Sequence, residues 1–108
     1  MTMTFNEYQA KALSTAKPTS LTETYLIPGL VAEAGEVAGH YAKFQRDGYL
    51  LSGDPVPAIL KELGDVLWFV AVLCSFYGVG LEEVAQANVD KLRDRMQRGV
   101  IGGKGDDR

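Results

Sequence analysis

The 108-residue sequence contains a single cysteine, Cys74, and a single histidine, His40. A disulfide framework within the chain is therefore excluded, and Cys74, in an apolar run, is expected to be a small buried hydrophobe. A Ser-His-Asp triad is not supported, because the histidine has no convincing nucleophile beside it. The sequence also lacks a glycine-rich phosphate loop of the P-loop kind. Any chemistry must come from other residue types.

Long hydrophobic runs and an excess of positive charge are also missing. The longest apolar stretch, residues 66–74, is far shorter than the roughly 20 residues that cross a bilayer. The N-terminus lacks the charged-then-apolar layout of a secretory signal. We therefore expect a cytoplasmic protein with no membrane partner.

The net charge of −3 and the pI near 5.0 argue against nucleic acid as the main partner. Binding to a polyanion is driven by cationic side chains that release its counterions. A negatively charged protein can still bind a phosphate-rich small molecule when divalent cations bridge the two. The position of such cations is then the main question.

Four segments show the apolar periodicity of helices, and no strand pattern is present. The sequence therefore predicts an all-α fold. The predicted helices cover about residues 5–16, 20–46, 56–77 and 81–97. Residues 1–98 are expected to form one domain, followed by an irregular tail, 99–108, that contains four glycines.

Helix boundaries carry their own signals. Ser20 and Glu23 form a possible capping box for the second helix. Pro28 predicts a break or a kink inside it, because an interior proline removes a hydrogen bond. Gly78 and Gly80 suit a left-handed cap after the third helix.

The third helix is apolar around its whole circumference in residues 66–73. A surface helix would show a polar face there, and a chain of this length has a small core. We therefore predict that this run lies at a subunit interface and that the protein is at least a dimer.

The most informative feature is a sequence motif that occurs twice. Residues 30–37, LVAEAGEV, align with residues 59–66, ILKELGDV. The acids of each motif lie along the border of an apolar helix face. If the two helices pack antiparallel through these faces, the four carboxylates meet at one edge of the seam, which is the contact surface between the two helices. The glycine inside each motif is unfavourable in a helix, which suggests a close approach or space for a ligand.

Neighbouring carboxylates repel one another and retain protons unless cations are present. Magnesium prefers carboxylate, water and phosphate oxygens. The sequence therefore predicts a magnesium site made of Glu33, Glu36, Glu62 and Asp65. A single E-x-x-E would indicate a solvated surface, but two copies in the same frame favour the metal site.

The fourth helix carries Asn88, Lys91 and Arg95 along the margin of its apolar side. These side chains could contact phosphate oxygens. The alternative is a solvated face in which the cations pair with Asp90 and Asp94. Asn88 slightly favours the first interpretation, because it falls in the apolar sector, where an amide needs a partner.

Three further side chains have possible functional roles. Lys43, on the polar side of the second helix, could contact phosphate or water. We interpret His40 as a surface or hydrogen-bonding neighbour of Glu36 rather than as a ligand. Trp68 could stack on a base, but core or interface packing is the preferred interpretation.

The E-x-x-E, spacer, E-x-x-D pattern, followed by N-x-x-K-x-x-x-R in residues 88–95, resembles the MazG-like family of the all-α nucleoside triphosphate pyrophosphatases. KELGDVLWFVAVL and RGVIGGKGDDR look like the short single-domain members from bacteria and phages. The resemblance covers nearly the whole chain. It does not separate the family from dCTP pyrophosphatases, dimeric dUTPases and phosphoribosyl-ATP pyrophosphohydrolases.

The resemblance implies a four-helix subunit that assembles as a helical-bundle homodimer or homotetramer, with Mg²⁺ on the four carboxylates. It implies hydrolysis of a (deoxy)nucleoside triphosphate to the monophosphate and pyrophosphate. Asn88, Lys91 and Arg95 match the family's phosphate-side residues, and Lys43 is a further candidate for nucleotide binding. Glu36 is the candidate general base, which the sequence alone does not assign. The competing hypothesis is a non-catalytic helical oligomerisation module.

Overall fold

The computed structural model describes residues 2–106 and contains, within them, four α-helices, one short 3-10 turn and no strand. The helices are α1 (Phe5–Ser14), α2 (Glu23–Ser52), α3 (Val56–Phe76) and α4 (Leu81–Gln97), and the 3-10 turn is Pro18–Ser20. The all-α prediction is confirmed. Residue 1 of the predicted domain and residues 107 and 108 of the predicted tail lie outside the described residues.

Side-chain caps begin the first two helices. A reciprocal capping box starts α1: the Thr4 hydroxyl accepts from the Glu7 N–H and the Glu7 carboxylate accepts from the Thr4 N–H, both at 3.1 Å. The cap of α2 is Thr22, whose hydroxyl accepts from the Tyr25 N–H at 3.3 Å. The predicted capping box at Ser20 is therefore wrong, because Ser20 lies in the 3-10 turn.

The interruption of α2 occurs at Gly48, not at Pro28. The backbone keeps helical angles around Pro28, which is only the sixth residue of the helix, so its missing N–H affects the second turn alone. Gly48 has φ 77° and ψ 171°, a conformation that favours glycine. One further helical turn follows before α3, so the predicted break near Pro28 is wrong.

α2 and α3 form an antiparallel hairpin, the most extensive helix pair of the subunit. Gly29 lies against Phe69 near one end, and His40 lies against Glu62 further along. A Cβ atom at Gly29 would be 2.3 Å from Cε1 of Phe69. Only glycine therefore permits this approach of the two helices.

The seam of the hairpin has heptad-like spacing on both sides. On α2 the positions with this spacing, all buried or half-buried, are Leu26, Leu30, Glu33, Val37, His40 and Phe44. On α3 the corresponding positions are Ile59, Glu62, Val66, Phe69 and Leu73. Three polar side chains thus replace apolar ones in the middle of an otherwise apolar seam.

The apolar run of α3 is covered in part by the chain's own helices. Of residues 66–73, Phe69, Ala71 and Val72 are buried, in a core shared with α1 and α4. The other residues of the run are half-buried or exposed, so the interface predicted for this run stays a prediction.

Two apolar stripes are exposed. The α3 stripe consists of Val56, Leu60, Leu63 and Leu67, and the α2 stripe consists of Ile27, Val31, Ala34, Ala38 and Tyr41. Each repeats at heptad-like intervals. The exposed surface of the hairpin therefore has the pattern of a helix-packing surface.

Gln9 ties α1 to the turn between α3 and α4. Its side chain is 8% exposed. Its amide nitrogen donates to the Ser75 hydroxyl at 3.0 Å and to the Val79 carbonyl at 2.9 Å, and its oxygen accepts from the Leu81 N–H at 2.8 Å. One side chain thus satisfies main-chain groups that the turn leaves unpaired.

Within residues 2–106 no single helix is long and apolar enough to cross a membrane. The pair α3 and α4 passes that test only when taken together, and it is bent by 105°.

Candidate metal and nucleotide site

Two of the four predicted carboxylates lie within the α2–α3 seam and two lie at its edge. Glu33 and Glu62 are half-buried at seam positions, whereas Glu36 and Asp65 are exposed. Each pair is three residues apart on its helix, so the inner and outer acids of one helix are neighbours. The antiparallel packing then places the two pairs next to each other.

The ligand atoms form two groups that share Glu62. Glu33, Glu62 and Asp65 make one group, and Glu36, His40 and Glu62 make the other. Within each group one ligand atom from every residue lies within 4.8 Å of the others. Such spacing allows each group to hold a divalent cation.

The electrostatics of Glu33 reflect this crowding. A hydrogen bond with Glu62 raises the pKa of the Glu33 carboxyl, and partial burial and the charges of Asp65, Glu62 and Glu36 raise it further. Repulsion among the carboxylates thus disfavours the charged form of Glu33 in the metal-free protein. Hard divalent cations bind such oxygen ligands and would relieve the same repulsion.

His40 lies in the cluster as a hydrogen-bonding neighbour of Glu62, which confirms one of the two roles expected for it. Its Nε2 lies 3.2 Å from a carboxylate oxygen of Glu62, and its side chain is 28% exposed. The signal in the sequence is its spacing: His40 follows Glu33 by seven residues and therefore occupies the next equivalent seam position.

Lys43 lies one turn beyond His40 and shares a cavity with it. The cavity has a volume of about 310 Å³ and is also lined by Asp54 and Ala58. Ala58 is one turn before Glu62 on α3. The cavity therefore adjoins the cluster on its His40 side.

The predicted phosphate-side cations of α4 hold the tail of the chain. The Lys91 ammonium lies 3.0 Å and the Arg95 guanidinium 3.2 Å from one carboxylate oxygen of Asp106. Arg95 also donates to the Asp106 carbonyl. Hydrogen bonds from Lys91 and Arg95 lower the pKa of the Asp106 carboxyl, and their charges lower it further. Within residues 2–106 no ion pair joins either cation to the four carboxylates of the cluster.

Other residues of α4 differ from what the phosphate-binding and the solvated-face interpretations of that helix expected. Asn88 is exposed, so the expectation that its amide lies in an apolar environment is wrong. Asp90 accepts from Gln86 and Asp94 pairs with Arg98. The solvated-face interpretation, in which these two aspartates neutralise Lys91 and Arg95, is therefore wrong as well.

Arg95 is the least exposed of these side chains, at 4% of its surface. Its Nε–H has no hydrogen-bond partner among the described residues. A buried guanidinium normally satisfies its donors in a carboxylate or phosphate complex. Arg95 therefore has a donor left for a further oxygen.

Trp68 lies one turn beyond Asp65 on α3. Its ring packs edge-on against Phe69 at 5.0 Å, and its Nε1–H donates to the Thr15 hydroxyl at 2.8 Å. With Tyr25 and residues 15–17, 19 and 20 it lines a cavity of about 520 Å³. Cavities therefore flank the carboxylate cluster in both directions along α3.

The two glycines of the repeated motif do not mediate close packing. A Cβ atom at Gly35 or Gly64 would meet nothing within 4 Å. These glycines were expected to allow either a close approach of two helices or space for a ligand. Close approach within the described chain is excluded, so the space beside them is open to another molecule.

The chain is thus an all-α protein with a cluster of carboxylates between two antiparallel helices. The family description "MazG nucleotide pyrophosphohydrolase domain" matches residues 21–100, and the chain belongs to this family. The resemblance drawn from the sequence motifs is thereby confirmed.

The chain is also similar to two other proteins. The chain is 43% identical over 86 residues to "Gene 37 protein" of Mycobacterium phage L5, which covers 79% of this chain and 75% of the phage protein. It is 41% identical over 39 residues to "Uncharacterized protein YvdC" of Bacillus subtilis (strain 168), covering 36% and 37% of the two chains. No solved structure matches the chain.

Proposed function

We propose that the protein hydrolyses a (deoxy)nucleoside triphosphate to the monophosphate and pyrophosphate, with Mg²⁺ held by Glu33, Glu36, Glu62 and Asp65. The observation that carries the proposal is the pair of ligand groups that share Glu62. Family membership supports the reaction class. The donor set fits magnesium, because four carboxylates offer the hard oxygen ligands that it prefers.

The residues of the chain have separate roles in this proposal. Bound magnesium would neutralise phosphate charge and activate a water for attack on phosphorus. Glu33 and Glu62 hold the cation from within the seam. Glu36, at the exposed edge where water can enter, is our candidate for accepting the proton of the attacking water.

Lys43, Asn88, Lys91 and Arg95 are proposed to bind the phosphates. Asp106 supports this for α4, because a carboxylate shared by a lysine and an arginine occupies the place that a phosphate oxygen would take. The triphosphate would displace Asp106. The nucleoside would lie in the cavity beside Trp68.

A homodimer or homotetramer completes the proposal. The α2 stripe and the α3 stripe expose apolar side chains on one hairpin, and burying them against a second hairpin would form a helical bundle. This assembly would add core to a small subunit.

The decisive experiment is a panel of ribo- and deoxynucleoside triphosphates with Mg²⁺, scored for pyrophosphate and for the nucleoside product. We expect release of pyrophosphate and monophosphate from at least one triphosphate, and loss of that activity in Glu62→Gln. Lys91→Ala and Arg95→Ala should impair hydrolysis more than metal binding without nucleotide. An absence of turnover across the panel, with no thermal-shift response to Mg²⁺, would favour the non-catalytic module.

A further inference from the structure

His40 is directed into the α2–α3 seam and not into solvent. Its position repeats that of Glu33 one heptad later, and both side chains face Glu62 across the seam. Its ring nitrogen is 3.2 Å from the Glu62 carboxylate. An imidazole is thus built into the carboxylate cluster by the geometry of the hairpin.

The spacing of the donors suits a shared cation. Glu36 and His40 are four residues apart on α2, which places both side chains on one face of the helix. Two ligands about 2.1 Å from an octahedral ion lie roughly 3.0 Å apart, close to the separation of the His40 and Glu62 atoms. The adjoining cavity at Lys43 leaves space for water or substrate oxygens as further ligands.

The two ligand groups differ in donor chemistry. Glu33, Glu62 and Asp65 offer only oxygen, whereas Glu36, His40 and Glu62 add one nitrogen. Imidazole is a good ligand for first-row transition ions and a poor one for magnesium, and Mn²⁺ is the first-row ion that also suits carboxylate oxygens. The two halves of the cluster should therefore select different cations.

We propose that Glu36, His40 and Glu62 form a second cation site that prefers a divalent first-row transition ion such as Mn²⁺, beside the oxygen-only group. The inference rests on the proposed function in one respect, which is that Glu36 and Glu62 are cation ligands in both. It does not depend on hydrolysis. Glu62 would supply a ligand to both groups, and His40 would ligate through Nε2, the nitrogen that lies near Glu62.

The alternative role for His40 is a hydrogen bond to Glu62 that orients this carboxylate without contact between imidazole and metal. The two roles make different spectroscopic predictions. A directly ligated imidazole nitrogen couples to the electron spin of Mn²⁺, whereas a nitrogen outside the coordination sphere couples far more weakly. Because the chain has one histidine, an imidazole signal in tag-free protein can come only from His40.

The test is electron spin-echo envelope modulation of tag-free protein loaded with Mn²⁺ in the absence of nucleotide. We expect a directly coupled ¹⁴N signal in the wild type and its loss in His40→Asn. In a parallel titration, His40→Asn should weaken Mn²⁺ binding by more than about tenfold, because loss of a mere outer-shell partner already costs about that much, and should leave Mg²⁺ binding unchanged. Lys61→Gln, an exposed change next to Glu62, is the matched control and should preserve both.

Bound Mn²⁺ without directly coupled nitrogen in the wild type would overturn the proposal even if His40→Asn failed to fold. Equal weakening of Mn²⁺ and Mg²⁺ binding would also overturn it and would favour the orienting role. Failure of the proposed function is a separate result: a nitrogen-coupled Mn²⁺ site in a protein that hydrolyses no triphosphate would retain the site and reject the enzyme.

Discussion

Replacing Leu60 and Leu63 of the α3 stripe with glutamine should dissociate the proposed homo-oligomer. The two side chains are 60% and 48% exposed, so together they expose about as much surface as one fully exposed leucine. Burying a leucine is worth about 1.5–3 kcal/mol. A two-fold dimer contains the pair twice, so the double variant should lose about 3–6 kcal/mol of association free energy. The dissociation constant should rise roughly 10²- to 10⁴-fold.

Sedimentation velocity over a range of protein concentrations measures this change directly. Val84→Gln is the matched control, because Val84 is 44% exposed on α4, outside both stripes, and its loss should leave assembly unaltered. Circular dichroism should show unchanged helix content in both variants. A wild-type monomer at micromolar concentration would refute the reasoning, as would a double variant that dissociates no more readily than the control.

Three further outcomes are expected. Glu36→Gln should abolish turnover but keep the fold and assembly, since it removes an anionic ligand and relieves repulsion; near-normal pyrophosphate release at limiting Mg²⁺ would contradict this. The folded-state pKa of Glu33 is raised from 4.5, mainly by its hydrogen bond with Glu62. The protonated Glu33 carboxyl therefore contributes fully to the free energy of unfolding below about pH 4.5, and this contribution is lost as pH rises through the raised pKa. Metal-free wild type should therefore lose Tm relative to Glu33→Gln as pH rises through this window, and saturating Mg²⁺ should remove the difference; parallel Tm curves without metal would argue against it. Gly29→Ala should lower the free energy of unfolding in urea by about 1–3 kcal/mol, because its Cβ would meet the Phe69 ring at 2.3 Å; an unchanged midpoint would show that the ring moves aside freely.

The helices and the carboxylate cluster could be predicted because both depend on local periodicity. The bounds of α4 agree with the apolar pattern, and those of α3 agree within one residue. The repeated motif places Glu33 and Glu62 at equivalent positions, and antiparallel packing then brings them together. No long-range information beyond the hairpin itself was needed.

Features that depend on packing between distant segments could not be predicted in the same way. Whether residues 66–73 face a second subunit or their own core depends on where α1 and α4 lie, which the periodicity of α3 does not specify. The partner of Lys91 and Arg95 is Asp106, from a tail with no periodic pattern. The seven-residue spacing between Glu33 and His40 predicts that both lie at equivalent positions of the α2–α3 interface. The E-x-x-E motif alone does not contain this information.

The hydrogen bonds of Gln9 bear on how a shortened form of this protein would behave. The family match begins at residue 21, after α1 has ended. A chain cut at that point would leave the Leu81 N–H and the Val79 carbonyl without the partner that Gln9 provides, next to the buried Ala71 and Val72. The lost hydrogen bonds, worth about 0.5–1.5 kcal/mol each, and the loss of α1 from the core that contains Ala71 and Val72 would destabilise the α3–α4 corner. Residues that precede the family match therefore contribute to the stability of this corner.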